Sequence, residues 1–311
     1  MEHYVTLLDS LFLPQVVTLH QSMERHAGQY SLWILCVDEE AHQVLSSLAL
    51  SNVRLLKLSD LETPELLSVK HKRSRGEYCW TLTPYAPRFV FEHDSSVQRV
   101  TYIDADIWFR KPPDAIFSEL DESRKSVLIT EHAFSPAFDL SEPNGIYCVQ
   151  FITFDRYGGE KVRKWWEERC IEWCYARVED GKFGDQKYLE AWVSMFFSDV
   201  HVLRDKSLAL GPWNASRFPF SEGIFYHFHQ LRLTASGRVL VGKFPLPAPL
   251  IKYVYRPYLR EMKASIAMIE QCGGKVLPQV NGPKLLGSIR LSLANLISLF
   301  GVIFSRSTLK M

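Results

Sequence analysis

Apolar runs and half-apolar stripes alternate along the first sixty residues. "HYVTLLDS" is a short apolar run that stops at Asp9 and Ser10, and it predicts a strand. "LPQVVTLHQSMERH" puts Val16, Leu19 and Met23 on one face of a helix. "YSLWILCVDEE" is a continuous apolar run, which suits a parallel strand covered on both faces. "EEAHQVLSSLAL" predicts a second helix and "NVRLLKLSDLE" a third strand. Strand, helix, strand, helix, strand is the order of a parallel, doubly wound sheet. Right-handed crossovers place its helices on both faces. Ligands of such sheets sit at the carboxyl ends of the strands, where Asp9 and Asp104 both fall.

Further along, "CWTLTPYAPRFVFEH" leads through a helix to the strand "QRVTYID". "KPPDAIFSEL" reads as a turn and short helix, and "SVLITEH" as a strand. "GIYCVQFITF" alternates enough to predict an antiparallel strand at an edge of the sheet. "GEKVRKWWEERCIEWCYARVED" predicts one long amphipathic helix, and "GKFGDQKYLEAW" a loop that starts the next. Short strands and turns follow in "VHVLRDKSLALGPWNAS" and "FYHFHQLRL".

The tail changes character. Residues 271–311 hold no Asp or Glu, while Lys275, Lys284, Arg290, Arg306 and Lys310 give a charge of +5. "LLGSIRLSLANLISLFGVIF" is strongly apolar, but Arg290 and Asn295 make it too polar for a spanning helix. It suits a helix in a membrane interface, with its cations near anionic lipid. A helix packed on the main domain and a dimer contact are the alternatives. The expected division is a domain over 1–240 and a C-terminal helical extension over 241–311.

Composition adds bounds. The 311 residues are 47% hydrophobic and 23% charged, so a packed core is expected. The net charge of +1 gives no global reason to bind nucleic acid. Glu2 and Asp9 interrupt the opening apolar stretch, so no secretion signal is read, and a cytoplasmic chain is expected. Its six cysteines fit no zinc spacing, and free thiols are expected.

Asp104 and Asp106 carry the chemistry. Two like charges with one residue between them repel, and an apolar strand delivers both to the ligand edge. Carboxylate oxygens are hard donors that suit Mg²⁺ or Mn²⁺. Such an ion also binds diphosphate and stabilises charge on a departing one. Two other stretches offer ligand contacts. "KHKRSRGEY" supplies Lys70, Lys72, Arg73 and Arg75, which could meet a diphosphate, with Trp80 following as a further substrate-binding candidate. "GPWNAS" supplies Trp213 and Asn214, an aromatic face for a sugar or base and a donor–acceptor pair.

Four stretches together resemble nucleotide-sugar-dependent glycosyltransferases of the GT-A fold, and within them the bacterial group related to glycosyltransferase family 8. "VTLLDSLFLPQVVTLHQSMERH" resembles that family's nucleotide-touching first strand and helix, which places Thr6 and Asp9 among the binding candidates. "VTYIDADIWF" resembles its metal-binding DxD strand, "GKFGDQKYLEAW" its G-D-Q segment, and "FYHFHQ" its late histidine. The resemblance spans roughly residues 3 to 235. It implies an α/β GT-A fold, a Rossmann-like mixed sheet with helices on both faces. It implies that Asp104, Asp106 and His227 (or His229) bind Mn²⁺ or Mg²⁺. Asp185 and Gln186 would lie beside the reacting sugar, and Asn144 would match the segment before the following strand.

The activity so implied is a hexosyl transfer from a nucleotide diphosphate sugar to an acceptor hydroxyl on a saccharide or glycolipid. Its expected setting is bacterial surface polysaccharide or lipopolysaccharide synthesis at the cytoplasmic face of a membrane. A sugar-nucleotide nucleotidyltransferase is an alternative, but "TLLDSLFLPQ" has no glycine for a phosphate loop. A non-catalytic sugar-nucleotide-binding or scaffold protein is the other.

Overall fold

The computed structural model describes residues 1–280 and 308–310. The apolar tail helix expected over residues 285–304 lies outside the described residues. No helix among the described residues is long and apolar enough to cross a membrane.

The opening alternation folds as the pattern dictates. Strand β1 (Glu2–Leu8) is followed by α1 (Leu13–His26), β2 (Tyr30–Cys36), α2 (Glu39–Leu48) and β3 (Val53–Lys57). Pro14 opens α1, where a missing N–H costs nothing. Asp38 starts α2 by accepting a hydrogen bond from the Ala41 amide. Three helices then precede the central strand: α3 (Pro64–Lys70), α4 (Arg75–Leu82) and α5 (Tyr85–His93). Sequence pattern missed α3, whose Thr63 cap and Pro64 are hidden beside the basic cluster. Ser74 and Glu77 form a reciprocal capping box that starts α4 inside that same cluster.

Strand β4 (Arg99–Ile103) leads to the two aspartates and the short β5 (Ile107–Phe109). Then come α6 (Asp114–Ser123), β6 (Val127–Glu131), α7 (Ser141–Asn144), β7 (Tyr147–Asp155) and α8 (Glu160–Glu172). The chain continues through α9 (Leu189–Met195), β8 (Val200–Val202), β9 (Ala209–Leu210), β10 (Phe225–His227), β11 (Arg232–Leu233) and β12 (Arg238–Leu240). Helix α10 (Ala248–Leu250) runs through a π-helical segment, Ile251–Tyr255, into α11 (Arg256–Gln271). Strand β13 (Thr308–Lys310) pairs with β12.

The main sheet has the order β3-β2-β1-β4-β7-β6-β8. Strand β7 is its antiparallel member, bonded to β4 on one side and β6 on the other. It is therefore interior, not the edge strand that its pattern suggested. Its run Cys148–Phe154 is buried on both faces, against α8 and α9 on one side and against Phe117 of α6 and Phe225 of β10 on the other, which alternation alone does not reveal. Helix α8 is also shorter than expected. Trp173 turns extended (φ −155°, ψ 125°), so Trp173 and Cys174 can reach the core instead of continuing a surface helix.

Side chains alternate between two cores, as strand geometry requires. Val5, Trp33, Leu35, Val100 and Tyr102 face one core, and Tyr4, Leu32, Ile34 and Ile103 face the other. A second, three-stranded sheet, β5-β10-β9, leans on the main one. Phe151 of β7 stacks on Phe225 of β10, with centroids 5.4 Å apart and planes 8° from parallel. That contact fixes the small sheet against the central strands. Helix α11 closes the far side against α1, through Thr18–Ser265 and Arg25–Glu261 contacts. All six cysteines are free.

Phe151→Ala is expected to cost about 3–5 kcal/mol, because it removes a wholly buried ring between two sheets. Urea unfolding should show an earlier midpoint with an unchanged slope. A shift below about 1 kcal/mol would mean that the sheets do not depend on this stack.

Candidate active site

The central strand β4 ends at Ile103, and the next three residues, Asp104, Ala105 and Asp106, turn the chain into β5. The Asp104 amide donates to the Gln150 carbonyl on β7 (3.1 Å), and the Ile107 amide closes the turn onto the Asp104 carbonyl (3.2 Å). Strand β10 pairs antiparallel with β5, setting His227 opposite Ile107. The Phe228 amide donates to the Asp106 carbonyl (2.9 Å), which locks that register beside the aspartates. Two segments more than a hundred residues apart thus bring three side chains together.

One donor atom from each of Asp104, Asp106 and His227 lies within 4.8 Å of the others. His227 Nε2 is 3.0 Å from Asp106 Oδ1 and 3.7 Å from Asp104 Oδ2. The Tyr102 hydroxyl donates to Asp104 Oδ1 (2.9 Å). His227 Nδ1 meets Gln150 Oε1 at 3.0 Å. Of the two histidines considered from sequence, His227 reaches the carboxylates. His229 instead packs edge-on against Trp213 and His227.

The electrostatics show how strongly this cluster is coupled. Burial opposes ionisation of Asp106, but His227 overrides it and holds the carboxyl at about 2. Asp104 is pushed up, first by burial and then by the like charge of Asp106. Burial works against a charge on His227, yet Asp106 raises it well above the ordinary imidazole value. His229 is driven down to about 3 by burial and by its neighbour His227, so it stays neutral. Cys148 completes the surroundings. Burial would raise its thiol, but His132 and His227 pull it down to about 7.

Asp185 stands against the same cluster. Gly184 before it takes φ +54°, and a side chain there would press on the Trp80 ring at 3.3 Å. This close contact seats Trp80 beside the loop. The Asp185 side chain makes no capping bond to the helical turn that follows. It is buried, its main-chain carbonyl accepts from Trp166 Nε1 (2.8 Å), and the Thr83 hydroxyl bonds its carboxylate. Burial, then the nearby Asp104 charge, push its carboxyl up to about 8. Gln186 Nε2 donates to the Asn144 carbonyl (2.6 Å), tying this loop to the end of α7.

The first strand's end forms a neighbouring cluster. Asp9 follows β1 and pairs with Arg75 Nε at 2.6 Å, and Arg75 also reaches Asp38 at the end of β2. Burial pushes the Asp9 carboxyl up against the pull of Arg75. Ser10, Asp38, Lys70, Arg75 and Tyr78 line a cavity of about 620 Å³ at this corner. Strands β2, β1 and β4 are consecutive in the sheet, so the cavity and the Asp104 cluster share one carboxyl edge.

Several sequence candidates are placed elsewhere. Thr6 is wholly buried in β1, with its hydroxyl enclosed, so its side chain offers a ligand nothing. Asn214 is fully buried and spent on the backbone. Its Nδ2 donates to the His132 and Ala209 carbonyls, and its Oδ1 accepts from the Gly211 amide. Trp213 has no open face for stacking. It is 3% exposed and enclosed edge-on by His132, His227 and His229. Arg73 turns inward to the Ile171 carbonyl (2.7 Å) and Thr81, so the basic cluster divides. Lys72 is exposed on the turn after α3.

Sequence reasoning missed Asp38, Thr83, His132, Cys148 and Gln150. Asp38 had a readable signal, since it closes β2 as Asp9 closes β1. The others became neighbours only through sheet order.

No protein-family model matches the chain. Two solved structures of the galactosyltransferase LgtC share its architecture. One, in complex with donor and acceptor sugar analogues, has a TM-score of 0.54 and 12% identity over 84% of this chain and 95% of that one. The other, an active-site glutamine-to-glutamate mutant, has a TM-score of 0.52 and 13% identity over the same shares. The fold is therefore GT-A, the Rossmann-like fold of these glycosyltransferases. By sequence, the chain belongs to the family of YfnF, an uncharacterized protein of Bacillus subtilis (strain 168). The two are 33% identical over 254 residues, 76% of this chain and 84% of YfnF. YfnD of the same organism is 27% identical over 285 residues, 86% of this chain and 91% of its own length.

The raised Asp185 carboxyl has a measurable effect on stability. An unfolded aspartate releases its proton near pH 4, while the folded one keeps it to about pH 8. Between those values the unfolded chain binds fewer protons, so stability falls as pH rises through this window. Asp185→Asn removes that loss. Urea unfolding in EDTA at pH 5 and pH 8 should show the variant gaining on the wild type at the higher pH. A difference that is flat, or that falls, would contradict a neutral buried carboxyl.

Proposed function

We propose that this chain is a glycosyltransferase that moves one sugar from a nucleotide diphosphate sugar to an acceptor hydroxyl. Asp104, Asp106 and His227 would hold a divalent cation, Mn²⁺ or Mg²⁺. The observation that carries this reading is the convergence of those three donor atoms within 4.8 Å at the ligand edge of the sheet. Two carboxylates and an imidazole are a suitable donor set for such an ion. When bound, the cation supplies Lewis-acid stabilisation of the negative charge on the departing diphosphate.

The chain's own residues divide the remaining work. The cavity floored by Asp38 and Arg75, next to Asp9, is the place for the nucleoside. Exposed Lys72 lies just before Arg75 and is free to approach phosphate. Asp185 and Gln186, with Trp80 and Asn144 beside them, form the sugar side. Burial raises the Asp185 carboxyl, and in its protonated form it can donate a hydrogen bond to a sugar or phosphate oxygen. LgtC has an active-site glutamine and binds donor and acceptor sugar analogues, which supports giving Gln186 a place at the reacting sugar. A hexose donor and a saccharide or glycolipid acceptor complete the reading. Relatives in a bacterium are consistent with a setting in surface polysaccharide assembly.

A panel of sugar nucleotides, scored by thermal unfolding with Mn²⁺ or with EDTA, tests the proposal. One donor should stabilise the wild type only with the metal present, by about 2.7 kcal/mol at a hundredfold excess over Kd. Asp106→Asn should lose both that stabilisation and turnover. Full transfer activity in Asp106→Asn, or donor binding unaffected by EDTA, would remove the cation from the mechanism.

A further inference from the structure

Gln150 is fully buried in the middle of β7, beside the aspartate–histidine cluster. A buried amide there needs a reason, because polar side chains are costly in an interior unless they are bonded. Its carbonyl oxygen, Oε1, meets His227 Nδ1 at 3.0 Å, and its Nε2 points to Thr130 Oγ1 at 3.5 Å. With the amide nitrogen directed to Thr130, Oε1 is an acceptor, so His227 Nδ1 must carry the hydrogen. The lone pair of the neutral ring is then at Nε2, the atom that faces Asp106 and Asp104.

The backbone at Gln150 does a second job. Its carbonyl accepts the Asp104 amide (3.1 Å). One residue therefore holds both halves of the cluster: the aspartate turn through its main chain, and the imidazole from β10 through its side chain.

The strand pairing shows how the side chain comes to be aimed this way. Against β4 the register of β7 is continuous, from Arg99↔Asp155 to Ile103↔Phe151. Against β6 it slips, since Leu128 faces Thr153 while Thr130 faces Cys148. Residues 149–152 of β7 stand against Ile129 alone. Such an irregularity re-aims side chains, and Gln150 lies inside it.

We infer that Gln150 is a positioning residue for the metal centre: it fixes the tautomer and ring orientation of His227 so that Nε2 completes the donor set with Asp104 and Asp106. Ligating histidines commonly donate their second N–H to such a partner, and losing it lowers metal affinity about 10–100-fold. This inference rests on the cation reading proposed above, and the test separates the two.

The experiment measures Mn²⁺ affinity of the nucleotide-free full chain by electron paramagnetic resonance, with unfolding in EDTA recorded in parallel. Gln150→Met keeps the volume but loses the acceptor. Gln150→Asn keeps a polar amide one methylene too short to reach the ring. Gln150→Glu keeps an acceptor in place. Each folded variant of the first two should bind Mn²⁺ about 10–100-fold more weakly than wild type, and Gln150→Glu should stay within about threefold. A merely structural role would change unfolding in EDTA and leave Mn²⁺ affinity alone. If wild type binds Mn²⁺ and Gln150→Met or Gln150→Asn binds it within twofold, the positioning role is overturned. If wild type binds no Mn²⁺, the cation reading fails first and takes this inference with it.

Discussion

The charge balance among Asp104, Asp106 and His227 is the constraint on which the rest of the site depends. Two carboxylates two residues apart in a largely dry turn are unstable by themselves. The structure answers the repulsion with an imidazole 3.0 Å from Asp106. To bring it there, the chain needs a second sheet, and that sheet must be pressed against the first. The Phe151–Phe225 stack, the Phe228–Asp106 main-chain bond and the Gln150–His227 bond all serve that placement. Packing, register and site chemistry are thus one arrangement here.

The same carboxyl edge carries two kinds of acidic group. Asp106 is held ionised by its neighbour, while Asp185, bonded by Thr83 and facing Asp104, is held neutral to about pH 8. Environments that drive carboxyls apart in this way let one edge offer a negative ligand set and a hydrogen-bond donor side by side. The Asp9–Arg75–Asp38 cluster adds a third character at the adjoining strand ends, where Arg75 neutralises two strand-end acids.

Much of this was legible in the sequence because local rules suffice for it. The bounds of α1 follow from its stripe and from Pro14, and the fate of "VTYIDADIWF" from an apolar run ending in acids. Other features depend on partners that sequence does not name. Gln150 sits in an apolar strand like an interruption, and only the slipped register on β6 explains it. Asn214 reads as an exposed turn donor, yet its amide is consumed by three backbone groups. Trp213 reads as a stacking surface, yet three histidine rings enclose it, and Gly211 exists where a side chain would strike it at 2.6 Å. Arg73 looks identical to Arg75 in a basic run, but Arg73 precedes the Ser74 cap of α4 and turns inward, while Arg75 opens the helix and reaches the acids.

The nitrogen ligand is the feature on which the cluster most directly depends. Pulsed electron paramagnetic resonance of Mn²⁺ bound to the full chain should show coupling to one imidazole nitrogen, and His227→Ala should abolish it while His229→Ala leaves it intact. Coupling that survives in His227→Ala, or a bound ion with no nitrogen ligand in the wild type, would contradict the arrangement on which the site was built.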